Sequence, residues 1–370
     1  MANSGKFFDS HPATFAPPKP ELPIPMRKHA SSIFRLAVLA AVLLPAATAI
    51  SLAQSATTDP VGFITLTVNG GGSVSAPKLS LLSQTLTQPI SWQGAITGIS
   101  GNTITVASNA WNAGQFDGAY FVEVVSTATP ANSGAISDIN ATPTTNTITT
   151  FDNLSGFAAV GDTIKIRKHM TIADVFGANN SAGLLGSTSA SSADEVLIYS
   201  GATQVTYWYY DGSLGGAAGW YDLNFTPSAS VVIGPSEGIV IKRKAAGNVS
   251  IVVQGAVKTG NTFFVVQNGF NVLGTTSAQG LTLGTSGLIS GSARLKGSTS
   301  ASSADEVIIY SATTQTNYWY YDGTLGGAAG WYDLNFNSSN NVSLPPGASF
   351  VINRKGGGAF NWPLPAPNSF

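Results

Sequence analysis

The feature that most constrains this chain is a 40-residue segment that occurs twice. Gly186–Phe225 and Gly297–Phe336 align at a constant offset of 111 residues without a gap, and 34 of the 40 aligned positions are identical. Segments this similar are expected to form the same local structure, since the side chains that would shape it are the same. The sequence therefore predicts two copies of one structural unit within the chain.

Short apolar runs separated by turn-forming residues indicate the fold class. In Val61–Val68, the side chains of Ile64, Leu66 and Val68 alternate with threonines, which is the period-2 pattern of a half-buried strand. Similar runs recur along the chain, and only Thr171–Phe176 resembles a short helix. We therefore predict an all-β protein of tandem β-sandwich-like domains, the last two being the close internal duplication.

The N-terminal region is predicted to lie outside the mature fold. Residues 26–53 contain a basic start, an apolar run and then small residues, which is the order of a secretory signal peptide. The apolar run, Leu36–Leu44, is too short to span a membrane, and the mature chain is expected to contain no membrane span. We interpret residues 1–25 as an over-extended start. The predicted mature domains are an N-terminal β domain, a first copy of the module and a second copy, at residues 54–168, 169–247 and 248–370.

Cysteine and charge content argue against several classes of function. The chain contains no cysteine, which excludes disulfides, thiolate catalysis and cysteine-bound metal. From Gln54 onward, 12 Lys and Arg stand against 16 Asp and Glu, and no basic stripe indicates a nucleic-acid partner. His169 is the only histidine after the predicted signal peptide, and the residues around it do not resemble a catalytic or metal-binding pattern.

Carboxylates recur at matching positions in both copies. Two facing carboxylates could hydrolyse a glycoside, but Asp211 and Asp322 each precede a glycine, where aspartate favours a turn. The spacing also lacks the alternating acids of a calcium-binding loop. We therefore expect no enzyme activity, no catalytic residue, no cofactor and no metal site, with a structural Ca²⁺ as the alternative. The acids considered are Asp194, Glu195, Asp211, Asp222, Asp305, Glu306, Asp322 and Asp333.

A run of aromatic residues is the most unusual motif of each copy. Alternation along a strand places Tyr207 and Tyr209 on one face, with Trp208 and Tyr210 on the other. Such a strand is buried on both faces, or one face is covered by a ligand or a second subunit. Packing against the strand of Trp220 is favoured, and stacking on sugar rings is the alternative. The candidate contact residues are Tyr207, Trp208, Tyr209, Tyr210, Trp220, Tyr318, Trp319, Tyr320, Tyr321 and Trp331.

A cationic pair ends three apolar strands, at Arg167-Lys168, Arg243-Lys244 and Arg354-Lys355. These cations could contact an acidic polymer. The favoured interpretation is that they keep strand ends soluble and discourage pairing between edges.

Several of these motifs together resemble an uncharacterised family of exported, β-rich bacterial proteins. The resemblance lies in the signal peptide, Asp59-Pro60-Val61-Gly62-Phe63, Asp194-Glu195-Val196, the tyrosine-rich run followed by Asp-Gly, and Pro345-Pro346-Gly347. It covers nearly all of the predicted mature chain. The family brings no activity, cofactor or catalytic residue, so the resemblance implies an exported β protein and nothing about chemistry.

Low charge, repeated modules and many apolar strands are typical of proteins that associate through strands. We therefore predict a secreted structural protein that self-assembles at the surface of a bacterium as a filament, sheath or layer. The predicted partner is a second copy of this chain. The alternative is an extracellular carbohydrate-binding module protein whose partner is a polysaccharide. The candidate assembly strand contains Phe63, Ile64, Leu66 and Val68.

Overall fold

The computed structural model confirms an all-β protein with several sheets. The predicted over-extended start, signal peptide and cleavage site lie outside the residues that the structure describes. None of the helices among the described residues has the length and hydrophobicity that a membrane span needs. The structure describes residues 59–365 except 126–128, 130–131, 201–202, 236, 292–293 and 312–313.

Two strands, β1 (Val61–Val68) and β2 (Lys78–Ser83), precede a closed six-stranded barrel. The barrel strands follow the order β3-β4-β7-β6-β5-β8 around the ring, and all their pairings are antiparallel. Its core includes Ile104, Val122 and Ile164. The strands are β3 (Ile90–Ser100), β4 (Thr103–Val106), β5 (Tyr120–Val125), β6 (Ile136–Thr144), β7 (Thr147–Thr150) and β8 (Thr163–Lys168).

Module 1 consists of β1, β2 and the elements between residues 169 and 257. Its central sheet has the order β12-β11-β10-β14-β2, while β1 pairs with β15 and β9 pairs with β13. Thr171 caps the short helix at its N-terminus through a capping box with Asp174, which confirms the predicted helix. The elements are β9 (Met170–Thr171), α1 (Ile172–Phe176), β10 (Glu195–Ser200), β11 (Thr203–Tyr210), β12 (Gly219–Asp222), β13 (Val232–Ile233), β14 (Gly238–Arg243) and β15 (Val249–Ala256).

Module 2 occupies residues 258–365 and repeats this arrangement. Its central sheet has the order β17-β23-β19-β20-β21, with β16 paired to β24 and β18 paired to β22. A 3-10 helix, Leu283–Thr285, takes the place of α1. The strands are β16 (Thr262–Val266), β17 (Gly269–Gly274), β18 (Leu281–Thr282), β19 (Glu306–Ser311), β20 (Thr314–Tyr321), β21 (Gly330–Asp333), β22 (Ser343–Leu344), β23 (Ser349–Arg354) and β24 (Phe360–Leu364).

The barrel lies within module 1 as an insertion. In module 2, strands β16, β17 and β18 follow one another directly in the sequence. Their counterparts in module 1 are β1, β2 and β9, and the whole barrel lies between β2 and β9. The pairing therefore does not follow the predicted boundary at residue 168, because the two strands before the barrel belong to the sheets of module 1.

The two modules meet through equivalent positions. Leu82 of module 1 pairs with Ala348, and Leu273 of module 2 pairs with Glu237. The registers of β2 and β17 make Leu82 the counterpart of Leu273, and Ala348 is the counterpart of Glu237. The two modules therefore contact each other through the same pair of equivalent positions, as two subunits do in an isologous contact. Val240 and Val272 pack together in the apolar layer between the sheets.

Candidate functional site

The inner face of each aromatic strand packs into the core of its own module. Tyr207 and Trp220 belong to the main core of module 1, and Tyr209 packs against it. The rings of Tyr209 and Trp220 meet edge to face with centroids 5.4 Å apart, a favourable aromatic geometry. The indole N–H of Trp220 donates a hydrogen bond to the carbonyl of Gly177 at 2.8 Å. In module 2, Tyr320 and Trp331 form the same ring contact at 5.7 Å, with Tyr318 beside them.

The outer face is covered as well. Trp208 is 2% exposed, and its indole N–H donates to the carbonyl of Asp222 at 3.1 Å. Its ring meets Tyr210 and Phe225 at 6.0 and 5.4 Å. The corresponding residues of module 2, Trp319, Tyr321 and Phe336, repeat these contacts. All the candidate aromatic residues therefore pack within their own module, and neither Trp208 nor Trp319 lines an open groove.

The candidate assembly strand, β1, already has a partner in the same chain. All eight of its residues pair with β15, and Leu66 and Val68 are buried in the core of module 1. Ile64 packs against that core, while Phe63 on the opposite face is 71% exposed. To pair with a strand of another subunit through the edge that β15 occupies, β1 would have to be released from β15. The side chain of Phe63, in contrast, is accessible while β1 stays paired.

The cationic pairs at the strand ends bind the repeated acidic pairs. Arg243 forms a buried ion pair with Asp194, and the ammonium of Lys244 lies 2.6 Å from a carboxylate oxygen of Glu195. Each side chain of the Asp-Glu motif thus has a cation from the Arg-Lys motif of its module. In module 2 the corresponding pairs are Arg354 with Asp305 at 3.2 Å and Lys355 with Glu306 at 2.8 Å.

The third cationic site joins the barrel to the modules. Arg167 lies between Asp59, which precedes β1, and Glu123 of the barrel. Glu123 also binds Lys258, which lies at the start of module 2. Burial alone would raise the pKa of Glu123, but the Lys258 and Arg167 cations outweigh it and hold that pKa below its ordinary value. This buried ionic cluster therefore ties together three parts of the chain that are distant in sequence.

Each module ends in an exposed apolar surface, which we call its tip. Tip 1 consists of the glycine-rich loop 211–218 and the turn 222–225, and tip 2 consists of 322–329 and 333–336. Tyr210 holds the loop of tip 1, because its hydroxyl donates to the carbonyl of Gly215 at 2.6 Å. The exposed fractions nearly match between the tips: 78, 63 and 51% for Leu214, Leu223 and Phe225, and 78, 61 and 54% for Leu325, Leu334 and Phe336.

The turn at each tip holds a phenylalanine in an unusual conformation. Phe225 and Phe336 both have φ of 64°, a region that bulky side chains rarely adopt. Asp222 holds the first turn, because one carboxylate oxygen accepts hydrogen bonds from the N–H groups of Asn224 and Thr226, both at 2.8 Å. The strained backbone therefore keeps a half-exposed ring beside Tyr221, with centroids 4.7 Å apart.

The tips carry ionised carboxylates. The backbone N–H of Thr226 holds the pKa of Asp222 below its ordinary value, and the hydroxyl of Ser213 does the same for Asp211. In tip 2, the pKa of Asp322 is lowered by the N–H of Thr324, and that of Asp333 by the side chain of Asn337. Each tip therefore presents two negative charges next to its apolar side chains at neutral pH.

A cleft of about 240 Å³ lies between the barrel and the two modules. Phe151 of the barrel is 65% exposed at this cleft, and Asp138 and Asp152 lie beside it. Both carboxylates already have protein partners, since Asp138 contacts His169 at 3.1 Å and Asp152 accepts a hydrogen bond from Ser137. The cleft thus combines an aromatic ring with hydrogen-bond acceptors.

Among the described residues, no three His, Cys, Asp or Glu side chains come together in a way that could hold a metal ion. The tips cannot be recognised from periodicity, because an apolar residue in a glycine-rich loop carries no periodic signal. The available signal was that Leu214, Leu223 and Phe225 keep their identity in the second copy. Comparison with family models, curated proteins and solved structures found no match to this chain.

Proposed function

We propose that this protein is an exported structural subunit that self-associates at the surface of a bacterium. The observation that carries this proposal is the pair of matching apolar tips. Large apolar side chains that stay exposed in a folded protein often mark contact surfaces. Here three of them recur in each module with nearly equal exposure. A subunit with two such contact surfaces can join two neighbours, which is what a filament requires.

Side-chain contacts support this proposal better than addition of a strand to a sheet edge. The edge of β12 is covered by its own chain, since Ser228 donates its N–H to the carbonyl of Trp220 at 2.8 Å. The edges of β2 and β17 are covered at the contact between the modules. Burial of an exposed leucine or phenylalanine stabilises a contact by about 1–2 kcal/mol. The exposed side chains of the tips therefore offer a more direct route to association.

The test is the assembly state of the exported chain over a range of concentrations. Sedimentation velocity and negative-stain microscopy should show oligomers that grow with concentration. The double variant Leu214→Asp/Leu325→Asp should stay monomeric, and it should fold because both leucines are mostly exposed. Phe63→Asp is the matched control on the exposed face of β1. A wild-type chain that is monomeric at every concentration would overturn the proposal.

Binding of an extracellular saccharide is the second candidate function, and the cleft beside Phe151 favours it. An exposed ring can stack on a sugar, while carboxylates accept hydrogen bonds from its hydroxyl groups. Trp208 and Trp319 are buried, so Phe151 is the better residue to test. Isothermal titration with soluble oligosaccharides should give heat with the wild type and none with Phe151→Ala. Equal heats for both proteins would remove the cleft from consideration.

A further inference from the structure

We infer that the subunits associate head to tail, tip 1 of one copy against tip 2 of the next. This inference rests on the proposed self-association and adds its direction. The apolar parts of the two tips are the same, so they alone would permit contacts between like tips as well as between unlike ones. The surroundings of the tips differ in charge, and that difference selects the unlike pairing.

Module 2 carries two cations that module 1 lacks. Arg294 and Lys296 are exposed, whereas Gly183 and Leu185 occupy the corresponding positions of module 1. Lys296 precedes Gly297, which lies against Asp322 at the base of tip 2. Neither cation forms a salt bridge within the described part of the chain. The basic residues therefore flank tip 2 and have no counterpart beside tip 1.

The other cations at this end of the modules take part in ion pairs. In module 1, Arg243 is bound to Asp194, while Lys242 and Lys244 are both bound to Glu195. In module 2, Arg354 and Lys355 are bound to the equivalent acids. Because two lysines share Glu195, this end of module 1 keeps one cation in excess beside the ionised carboxylates Asp211 and Asp222. The corresponding carboxylates at tip 2 are accompanied by two cations, Arg294 and Lys296, that form no salt bridge among the described residues.

Charge opposes one of the three possible contacts, tip 1 against tip 1, and favours another, tip 1 against tip 2. Two copies of tip 2 would bring like cations together as well as like carboxylates. Two copies of tip 1 would bring four carboxylates together, and like charges at an interface oppose association. Tip 1 against tip 2 places the carboxylates of one copy near Arg294 and Lys296 of the next. A contact between two different surfaces does not close on itself by two-fold symmetry, so it extends into a ring or an open filament.

Two single variants test the direction of assembly. Leu214→Asp blocks tip 1 and leaves tip 2 available, while Leu325→Asp does the reverse. Under the head-to-tail contact, each variant alone sediments as a monomer, and an equimolar mixture forms dimers that grow no further. Adding Arg294→Glu and Lys296→Glu to the Leu214→Asp chain should weaken the mixed dimer by about tenfold or more at low salt, and by less at high salt.

The other outcomes separate this inference from the proposed function. If either single variant dimerises alone, like tips pair with each other, and the inference is overturned while self-association stands. If the single variants still polymerise like the wild type, another surface such as the exposed face of β1 makes the contact, and the inference is again overturned. If the mixture stays monomeric although the wild type polymerises, one tip of each type is not sufficient for the contact, and the head-to-tail inference is overturned as well. If the wild type itself never associates, the proposed function fails first.

Discussion

Modules 1 and 2 have sheets of the same strand order, although their sequences are nearly identical in one part and dissimilar in another. From β10 to β12 the strands pair in the same register as from β19 to β21. The strands that complete the modules, β1 and β2 against β16 and β17, have little sequence in common. The close repeat therefore covers the aromatic strands and tips, while the remaining strands need only present apolar side chains at alternate positions.

The contact between the modules requires different residues at one pair of equivalent positions. Gly274 of β17 occupies the position that Ser83 occupies in β2, and the two lie opposite each other where the modules meet. A Cβ atom on Gly274 would lie 1.8 Å from the Cβ of Ser83. Only one of two equivalent positions can therefore carry a side chain. Two identical modules could not pack in this way, so the pairing requires unequal sequences at this point.

The largest expected effect comes from the ionic cluster that anchors the inserted barrel. Glu123→Gln leaves Lys258 and Arg167 buried with one fewer carboxylate, and should lower the free energy of unfolding by about 4 kcal/mol. Since the folded pKa of Glu123 lies below its ordinary 4.5, its contribution is present above pH 4.5 and lost as the pH falls through the folded value. Urea denaturation between pH 3 and 7 should show that the free energy of unfolding falls less on acidification in the variant than in the wild type. An unchanged pH dependence would contradict this assignment.

The buried ion pairs test whether the modules are energetically equivalent. Asp194→Asn and Asp305→Asn each weaken the bond to a buried arginine, and each should cost about 3 kcal/mol. Both carboxylates also accept hydrogen bonds from two backbone N–H groups, which bind the variant less strongly. Matched urea denaturation curves should give similar losses. A much larger loss in one module would show that the inserted barrel or the contact between modules changes the role of this pair.

A smaller effect is expected at the contact between the modules. Gly274→Ala should cost about 2 kcal/mol, because the added methyl overlaps Ser83 in a closely packed layer. Adding Ser83→Gly should recover most of that loss. The full exchange, Ser83→Gly with Gly274→Ser, should be close to the wild type in thermal denaturation, since the two positions are equivalent. A loss for the exchange as large as for Gly274→Ala would contradict the equivalence.

The smallest effect concerns Lys242, which module 2 replaces with Asn353. Lys242→Asn removes one part-exposed ion pair with Glu195 and should cost about 0.5 kcal/mol or less. Burial raises the pKa of Glu195, but hydrogen bonds from Lys244 and Lys242 outweigh it and hold the pKa below 4.5. Its stabilising contribution is therefore lost as the pH falls through the folded value. An NMR titration of Glu195 should show a higher pKa in the variant, and an identical titration curve would contradict the assignment.

Regular patterns made parts of the fold predictable. The predicted strand at Val61–Val68 and the predicted helix at Thr171–Phe176 are confirmed almost to the residue. Both elements depend on local features, since the strand follows an alternation of side chains and the structure shows a capping box at the start of the helix. Strand β24 was not predicted because it contains Pro363, which has no N–H for a sheet. It is tolerated there because β24 pairs on one side only, with β16.

The repeat, the all-β class and the faces on which the aromatic side chains lie can all be predicted from the amino-acid sequence, because each depends on residues close together in the chain. Which distant segments complete each module is set by the tertiary structure. It made the barrel an insertion, joined Arg243 to Asp194 across 49 residues, and left Leu214 and Leu325 exposed. The physical reason is that burial and pairing depend on contacts between distant strands, and periodicity within a strand does not specify which strand will be its neighbour.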